Sequence, residues 1–262
     1  MSDVAAAAVR AARPDLSGQV VMITGAGRGL GRSLALHLVR CGAIVGVADI
    51  DADSCCQTAA DVRAAGGVAH AYPADLSGQA AFAEAAAGLA RDAGRIDAVV
   101  NNAAFLRYQP IEEVAEDTVD LMLGAGFKSA VWGAQALLRH MDPERGGAIV
   151  NFSSPVAFRG YPTTAIYSAV KGAVTALTRT LAAELGPRKV RVNAVAPGSV
   201  PTPGALGLND PAEYERRSRT IPLRRLGRES DNDKAVAFLL SQEAEFINGT
   251  VLHVDGGIAA AN

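Results

Sequence analysis

Val20-Val21-Met22-Ile23-Thr24, followed by Gly25-Ala26-Gly27-Arg28-Gly29-Leu30-Gly31, is the stretch that decides the fold of this 262-residue chain. A short apolar run ending at a glycine cluster reads as a buried strand. Just beyond, Leu34, Leu38 and Cys41 recur at helical spacing within Arg32 to Cys41. Strand, glycine turn and helix in that order read as a phosphate-binding loop. Glycines permit positive φ and let backbone approach a ligand closely. The free N–H groups that open a helix attract a pyrophosphate. The expected contacts are Gly25, Gly27, Arg28, Gly29 and Leu30.

A second apolar run, Ala43 to Ala48, ends at Asp49 and Ile50, with Asp49 eighteen residues past Gly31. A carboxylate there accepts hydrogen bonds from both ribose hydroxyls of an adenosine and repels a 2′-phosphate. Turn and acid together point to NAD, with NADP the less favoured cofactor. Arg28 is the residue that would help tolerate NADP.

Outward from this unit the same alternation continues. Further strands are expected at Val68 to Tyr72, Ile96 to Val100, Ala148 to Phe152, Val190 to Val195 and Thr250 to Val254. Helices are expected at Ser77 to Ala93, Val114 to Met141, Ala165 to Leu185 and Asp231 to Leu240. Short apolar strands alternating with helices predict an α/β fold: a Rossmann-like, doubly wound, seven-stranded parallel sheet with helices on both faces. Residues 1–14 are expected to be a flexible tail and 15–262 a single nucleotide-binding catalytic domain. Such sheets bind ligands at the carboxyl ends of their strands, so chemistry should follow each strand.

Tyr167-Ser168-Ala169-Val170-Lys171 opens a helix and puts Tyr167 and Lys171 on one face, a turn apart. A free tyrosine, with pKa about 10, is a poor base near neutrality. A neighbouring ammonium is expected to lower that pKa. The pair then exchanges a proton with an alcohol or carbonyl while hydride moves to or from a nicotinamide. Ser154, just after the fifth strand, is placed to hold the substrate oxygen. Alone, a Tyr–Lys pair on a helix is a surface contact; beside a nucleotide site it is a catalytic one.

With these motifs the sequence resembles the short-chain dehydrogenase/reductase family in its single-domain form, over about Leu16 to Ala259. The resemblance rests on Thr-Gly-x-x-x-Gly-x-Gly at 24–31, Asp75-Leu76, Asn101-Asn102-Ala103-Ala104 and Ser154 with Tyr-x-x-x-Lys at 167–171. Pro197-Gly198 with Thr202, and Val254-Asp255-Gly256-Gly257, complete the set. It implies that Asp75 bonds the adenine amino group, with Leu76 beside it. Asn102 and Ala103 would line the ribose side, and Lys171, next to Tyr167, would also grip the nicotinamide ribose. Pro197, Gly198, Val200 and Thr202 would hold the carboxamide end. The expected activity is NAD-dependent interconversion of a secondary alcohol and a ketone. An NADPH-dependent 3-oxoacyl-thioester reductase is the alternative.

One departure stands out. The family carries an asparagine after the fourth strand that anchors a water in a proton relay; here Gly126 occupies its place, and no asparagine lies between Asn102 and Asn151. Gly124 and Gly126 are also expected to interrupt the helix, at about 1 kcal/mol each relative to alanine. A water or a substrate group is expected to fill the vacated volume, and a catalytically weakened, cofactor-binding relative is the further alternative. Pro155 removes a donor and restricts Ser154 to extended conformations.

The lid is expected over about 199–228, which carries Arg216, Arg217, Arg219, Arg224, Arg225 and Arg228. These read as a solvated helix face, or as an attraction for an acidic substrate. Apolar pocket candidates are Phe105, Leu106, Pro155, Val156, Phe158, Tyr161 and Leu206. The resemblance implies a homotetramer through the helices around 114–141 and 165–185.

Composition narrows the rest. A net charge of −2 gives no basic field for nucleic acid. No apolar run approaches the roughly 18 residues a membrane helix needs, and the amino terminus lacks a signal-peptide layout. The expected location is the cytoplasm and the expected partner a small molecule. Three cysteines and four scattered histidines suggest no disulfide framework and no metal site. The 25 basic residues include only four lysines, which makes Lys171 conspicuous.

Overall fold

The structure is a computed structural model and describes residues 13–206 and 211–261. Residues 1–12 of the expected tail lie outside the described residues. At the other end of that segment, Leu16 is fully buried and its N–H donates to the Cys41 carbonyl at 2.8 Å, so the ordered chain is tied down by residue 16.

Seven strands form one sheet: β1 Val20–Thr24, β2 Ile44–Asp49, β3 Val68–Pro73, β4 Ala98–Asn101, β5 Gly147–Phe152, β6 Val190–Pro197 and β7 Val251–Val254. All pairings are parallel, in the order β3-β2-β1-β4-β5-β6-β7. Strand order reverses between β1 and β4, where open α/β sheets place their ligand. The helices are α1 Gly29–Arg40, α2 Ala52–Ala64, α3 Gln79–Ala93, α4 Glu116–Leu123, α5 Ser129–His140 and α6 Ala165–Leu185. They are followed by α7 Pro203–Leu206, α8 Pro211–Thr220 and α9 Glu229–Leu240.

Two apolar layers cover the sheet. Leu34 and Leu38 of α1, Val62 of α2 and Val236 and Leu240 of α9 pack with Val21 and Ile23 on one face. Phe82 and Leu89 of α3, Leu137 of α5 and Leu185 of α6 pack with Val20 and Met22 on the other. Adjacent β1 residues thus face opposite layers, and each such side chain contributes about 1.5–3 kcal/mol on burial. The single doubly wound domain expected from the alternation is what the chain forms.

The largest local difference concerns the expected helix from Val114 to Met141. It divides into α4, a π-helical turn at Gly124–Lys128, and α5. The two glycines therefore do not break the helix; they widen one turn and the axis carries on. Of the cysteines, Cys41 and Cys55 are buried fillers, but Cys56 is exposed.

A buried polar ladder pins the central strands. Asn101 Nδ2 donates to Asn151 Oδ1 at 2.8 Å, and Asn151 Nδ2 donates to Thr178 Oγ1 of α6 at 2.9 Å. At the opposite end of the sheet, Asp97 accepts the Val20 N–H and the Arg95 guanidinium. The strands' carboxyl ends stay open for a ligand.

Candidate active site

A cavity of about 1190 Å³ runs along the carboxyl edge of the sheet. Its cofactor-side wall begins at the turn after β1. Gly25 and Gly29 adopt φ of 63° and 54°, the left-handed region that favours glycine. A Cβ on Gly25 would lie 2.8 Å from Ala103 Cα, so two strand-end loops meet backbone to backbone. Thr24 ties them: its hydroxyl oxygen accepts the N–H groups of Asn102 (3.1 Å) and Ala103 (3.0 Å). The Asn102 amide donates to the carbonyls of Thr24 and Gly25, both at 2.9 Å.

Of the expected cofactor contacts, Gly25, Arg28, Gly29 and Leu30 line the cavity, as do Asp49, Ile50, Asp75, Leu76, Asn102 and Ala103. Pro197, Gly198, Val200 and Thr202 line its far end with Tyr167 and Lys171. Gly27 is the exception, absent from that lining. Its N–H donates to Asp49 Oδ2 at 2.8 Å, and a Cβ on it would meet Ser54 and Asp49. Gly27 thus orients the acid. Asp49 Oδ1 accepts the Asp51 N–H at 3.0 Å, so backbone donors fix the carboxylate at both oxygens. Asn102 lines the cavity, but its amide protons bind the loop carbonyls. Thr24 escaped the sequence reading as a site residue, although its place in the glycine motif marks it.

On the opposite wall Ser154, Tyr167 and Lys171 converge. Ser154 is buried and extended, with φ −164° and ψ 155°, and caps the short 3-10 turn Pro155–Ala157. This is the restriction that Pro155 was expected to impose. Lys171 is 3% exposed; its ammonium donates to the Phe152 carbonyl at 2.6 Å and lies 5.7 Å from the Tyr167 ring centroid. Burial pushes Lys171 down to about 8. Tyr167 is pushed well above its ordinary value, first by burial and then by neighbouring Tyr108, while a hydrogen bond with Ser154 pulls the other way. The expected lowering of the phenol pKa by the ammonium is therefore corrected. Desolvation of the phenol dominates, and the lysine head is turned to a backbone carbonyl.

Gly126 also departs from expectation. A Cβ there would lie 2.6 Å from Val170 Cγ1. The space expected to hold a water or a substrate group is filled by Val170, the neighbour of Lys171. The π turn does present polar atoms: Ala125 and Ser129 line the cavity, and the Ser129 hydroxyl donates to the Ala125 carbonyl. Gly126→Asn is expected to destabilise the protein by about 1–3 kcal/mol through overpacking, with no gain in turnover. A thermal melt should show a Tm drop of several degrees that Val170→Ala relieves; an unchanged Tm would refute this account.

On the substrate side Phe105, Leu106, Pro155, Val156 and Tyr161 line the cavity as expected. Phe158 does not: it is 41% exposed and stacks edge-on against His253, with ring centroids 4.8 Å apart. The Leu206 side chain lies outside the described residues. Among the arginines of 199–228, Arg217 lines the cavity and is paired with Glu213 at 2.7 Å. Arg216, Arg219 and Arg225 form exposed pairs with Glu213, Glu215 and Asp231, as a solvated helix face does. Tyr108 and Tyr214 line the cavity without having been anticipated. Tyr108 sits in the loop after β4 and Tyr214 in α8, and no motif marked either. No cluster of three or more metal-ligating side chains occurs among the described residues, and no helix among them is long and apolar enough to cross a membrane.

A family model described as enoyl-(acyl carrier protein) reductase matches residues 25–259. The chain is 35% identical over 250 residues to 2-(S)-hydroxypropyl-CoM dehydrogenase 3 of Xanthobacter autotrophicus, covering 94% of this chain and 98% of that protein. A gluconate 5-dehydrogenase from Burkholderia cenocepacia, solved with NADP and tartrate, superposes with a TM-score of 0.90 at 31% identity. That match covers 95% of this chain and 98% of the other. A 7α-hydroxysteroid dehydrogenase solved with NADH and 7-oxo glycochenodeoxycholic acid superposes with a TM-score of 0.89 at 29% identity, covering 93% of this chain and 95% of the other.

Proposed function

The chain belongs to the short-chain dehydrogenase/reductase family, oxidoreductases that use a nicotinamide cofactor on small molecules, and from that premise we propose that it interconverts a secondary alcohol and a ketone with NAD. The observation that carries this reading is one cavity with Asp49 at one end and Ser154, Tyr167 and Lys171 at the other. The glycine cradle fits a dinucleotide: Gly25 stands where any side chain would strike the Ala103 backbone. Gly25, Arg28, Gly29 and Leu30 would hold the pyrophosphate, and Asp49 and Ile50 the adenosine ribose. Asp75 and Leu76 would meet the adenine, and Asn102 and Ala103 the ribose side. Lys171 would grip the second ribose, and Pro197, Gly198, Val200 and Thr202 the carboxamide. When bound, the nicotinamide ring supplies or takes up the hydride.

The protein's own part is proton transfer. In reduction, the Tyr167 O–H bond breaks toward the substrate carbonyl oxygen as hydride reaches its carbon, leaving a secondary alcohol and a phenolate. Ser154 orients that oxygen, and Lys171 steadies the phenolate. Oxidation runs the same steps backward. A protonated phenol starts in the state that reduction requires. Segment 199–228 acts as the lid. Assembly as a homotetramer and a cytoplasmic location complete the proposal.

A screen of secondary alcohols and ketones that follows NADH absorbance tests the reading; binding of NADH without turnover of any of them would favour the weakened relative. The alternative, a 3-oxoacyl-thioester reductase using NADPH, takes its support from 33% identity over 243 residues to a 3-oxoacyl-(acyl-carrier-protein) reductase of Thermotoga maritima, covering 93% of this chain and 98% of that protein. Asp49 opposes it, since a fixed carboxylate repels a 2′-phosphate. Asp49→Ser should lower kcat/KM for NAD about ten- to a hundredfold, the worth of a charged hydrogen-bonding group at about 1.5–3 kcal/mol, and raise it for NADP. An unchanged preference would overturn the assignment of NAD.

A further inference from the structure

The loop after β4 brings a second phenol against the first. The rings of Tyr108 and Tyr167 meet edge to face, with centroids 5.7 Å apart and planes at 60°. Both rings line the cavity. The loop bearing Tyr108 is braced on both sides: Asn102 is bonded to the glycine turn, and the Gln109 N–H donates to the Thr163 carbonyl at 2.9 Å. Thr163, with φ of 66°, lies in the segment that leads directly into α6 and Tyr167. Tyr108 is thus held to the same backbone that carries Tyr167.

The same cavity is also lined from α8. Tyr214 of that helix is only 9% exposed, and Tyr214 and Arg217 both line the cavity. Burial pushes the Tyr108 phenol up, while the Arg217 charge holds it down and Tyr214 adds a smaller push upward. Tyr108 thus shares one cavity with α8 and with Tyr167.

We propose that Tyr108 is a positioning residue, whose ring fixes the orientation of the Tyr167 phenol. The inference rests on the reading of Tyr167 as the proton-transfer group. An edge-to-face pair is worth about 0.5–1.5 kcal/mol, which corresponds to about a two- to tenfold change in rate. The ring supplies this contact and the hydroxyl does not, so phenylalanine serves where leucine fails.

The test uses the full chain with Tyr108→Leu and Tyr108→Phe, read in two ways. Steady-state kinetics should show kcat about two- to tenfold lower in the Leu variant, with KM for NAD unchanged, and Phe within twofold of the unaltered protein. Near-ultraviolet circular dichroism, with the Tyr167 share isolated by subtracting the matching Tyr167→Phe protein, should show a changed Tyr167 band in the Leu variant and an unchanged one in the Phe variant. An unaffected Leu variant or a Phe variant as damaged as Leu would each overturn the proposal. The dichroism separates the two readings. If no substrate were turned over, the proposed function would fail, while a Tyr167 band changed in the Leu variant but not in the Phe variant would support the ring contact and an unchanged one would refute it.

Discussion

Tyr167→Phe is expected to lower kcat about 10²- to 10⁴-fold, the usual contribution of a positioned acid–base group, while NADH binding stays within twofold. The substitution removes one oxygen. The ring stays, and with it the edge-to-face contact with Tyr108. Lys171 keeps its bond to the Phe152 carbonyl, since that bond does not involve the phenol. The Ser154 hydroxyl remains to orient a substrate but has no proton of comparable acidity to offer. Chemistry should therefore fall without loss of fold or cofactor affinity. Tm, NADH fluorescence and single-turnover kinetics separate those quantities. A variant retaining a tenth or more of its kcat would remove Tyr167 from the reaction.

Gly31→Ala is expected to lower Tm by about 6–12 °C, on the reckoning that about 3 kcal/mol of overpacking shifts a chain of this size by 2–4 °C per kcal/mol. A Cβ on Gly31 would overlap the Gly25 carbonyl oxygen and lie 2.7 Å from Asn102 Nδ2 and 2.8 Å from Ala26 Cα. Two of those neighbours are backbone, and the third is held by the carbonyls of Thr24 and Gly25. None yields easily, so the cost falls at the upper end of the overpacking range. The displaced atoms are those that shape the cradle, and affinity for NAD should drop about a hundredfold for the same 3 kcal/mol. Gly160→Ala is the control: a Cβ there meets nothing within 4 Å, and its Tm should not move. A Gly31→Ala protein with ordinary Tm and ordinary NAD affinity would show that the turn is not the close-packed cradle described.

Several site residues were legible because strand ends fall together. In a parallel sheet every strand finishes at one edge, so residues that follow β1, β2, β4, β5 and β6 share a cavity whatever their distance in sequence. Asp49, Asn102, Ser154 and Thr202 reach the cavity in this way. Lys171 was also visible through scarcity: Lys128, Lys189 and Lys234 are exposed, and Lys171 is the buried one. Tyr108 and Tyr214 were not legible, because a ring contact between a loop and a helix has no spacing to read.

The sequence by itself determined the alternation of strand and helix and the glycine turn, and it singled out Asp49, Ser154, Tyr167 and Lys171 as candidates. These depend on short-range patterning and on motif residues that always emerge at the same edge of such a sheet. Only the tertiary structure decided how the polar groups are spent. The Gly27 N–H goes to Asp49, the Asn102 amide to loop carbonyls, and the Lys171 ammonium to Phe152. It also decided that Val170 takes the space beside Gly126 and that burial, not the lysine, governs Tyr167. Each of these outcomes is set by distance and desolvation between segments far apart in sequence, and neither quantity has a period along the chain.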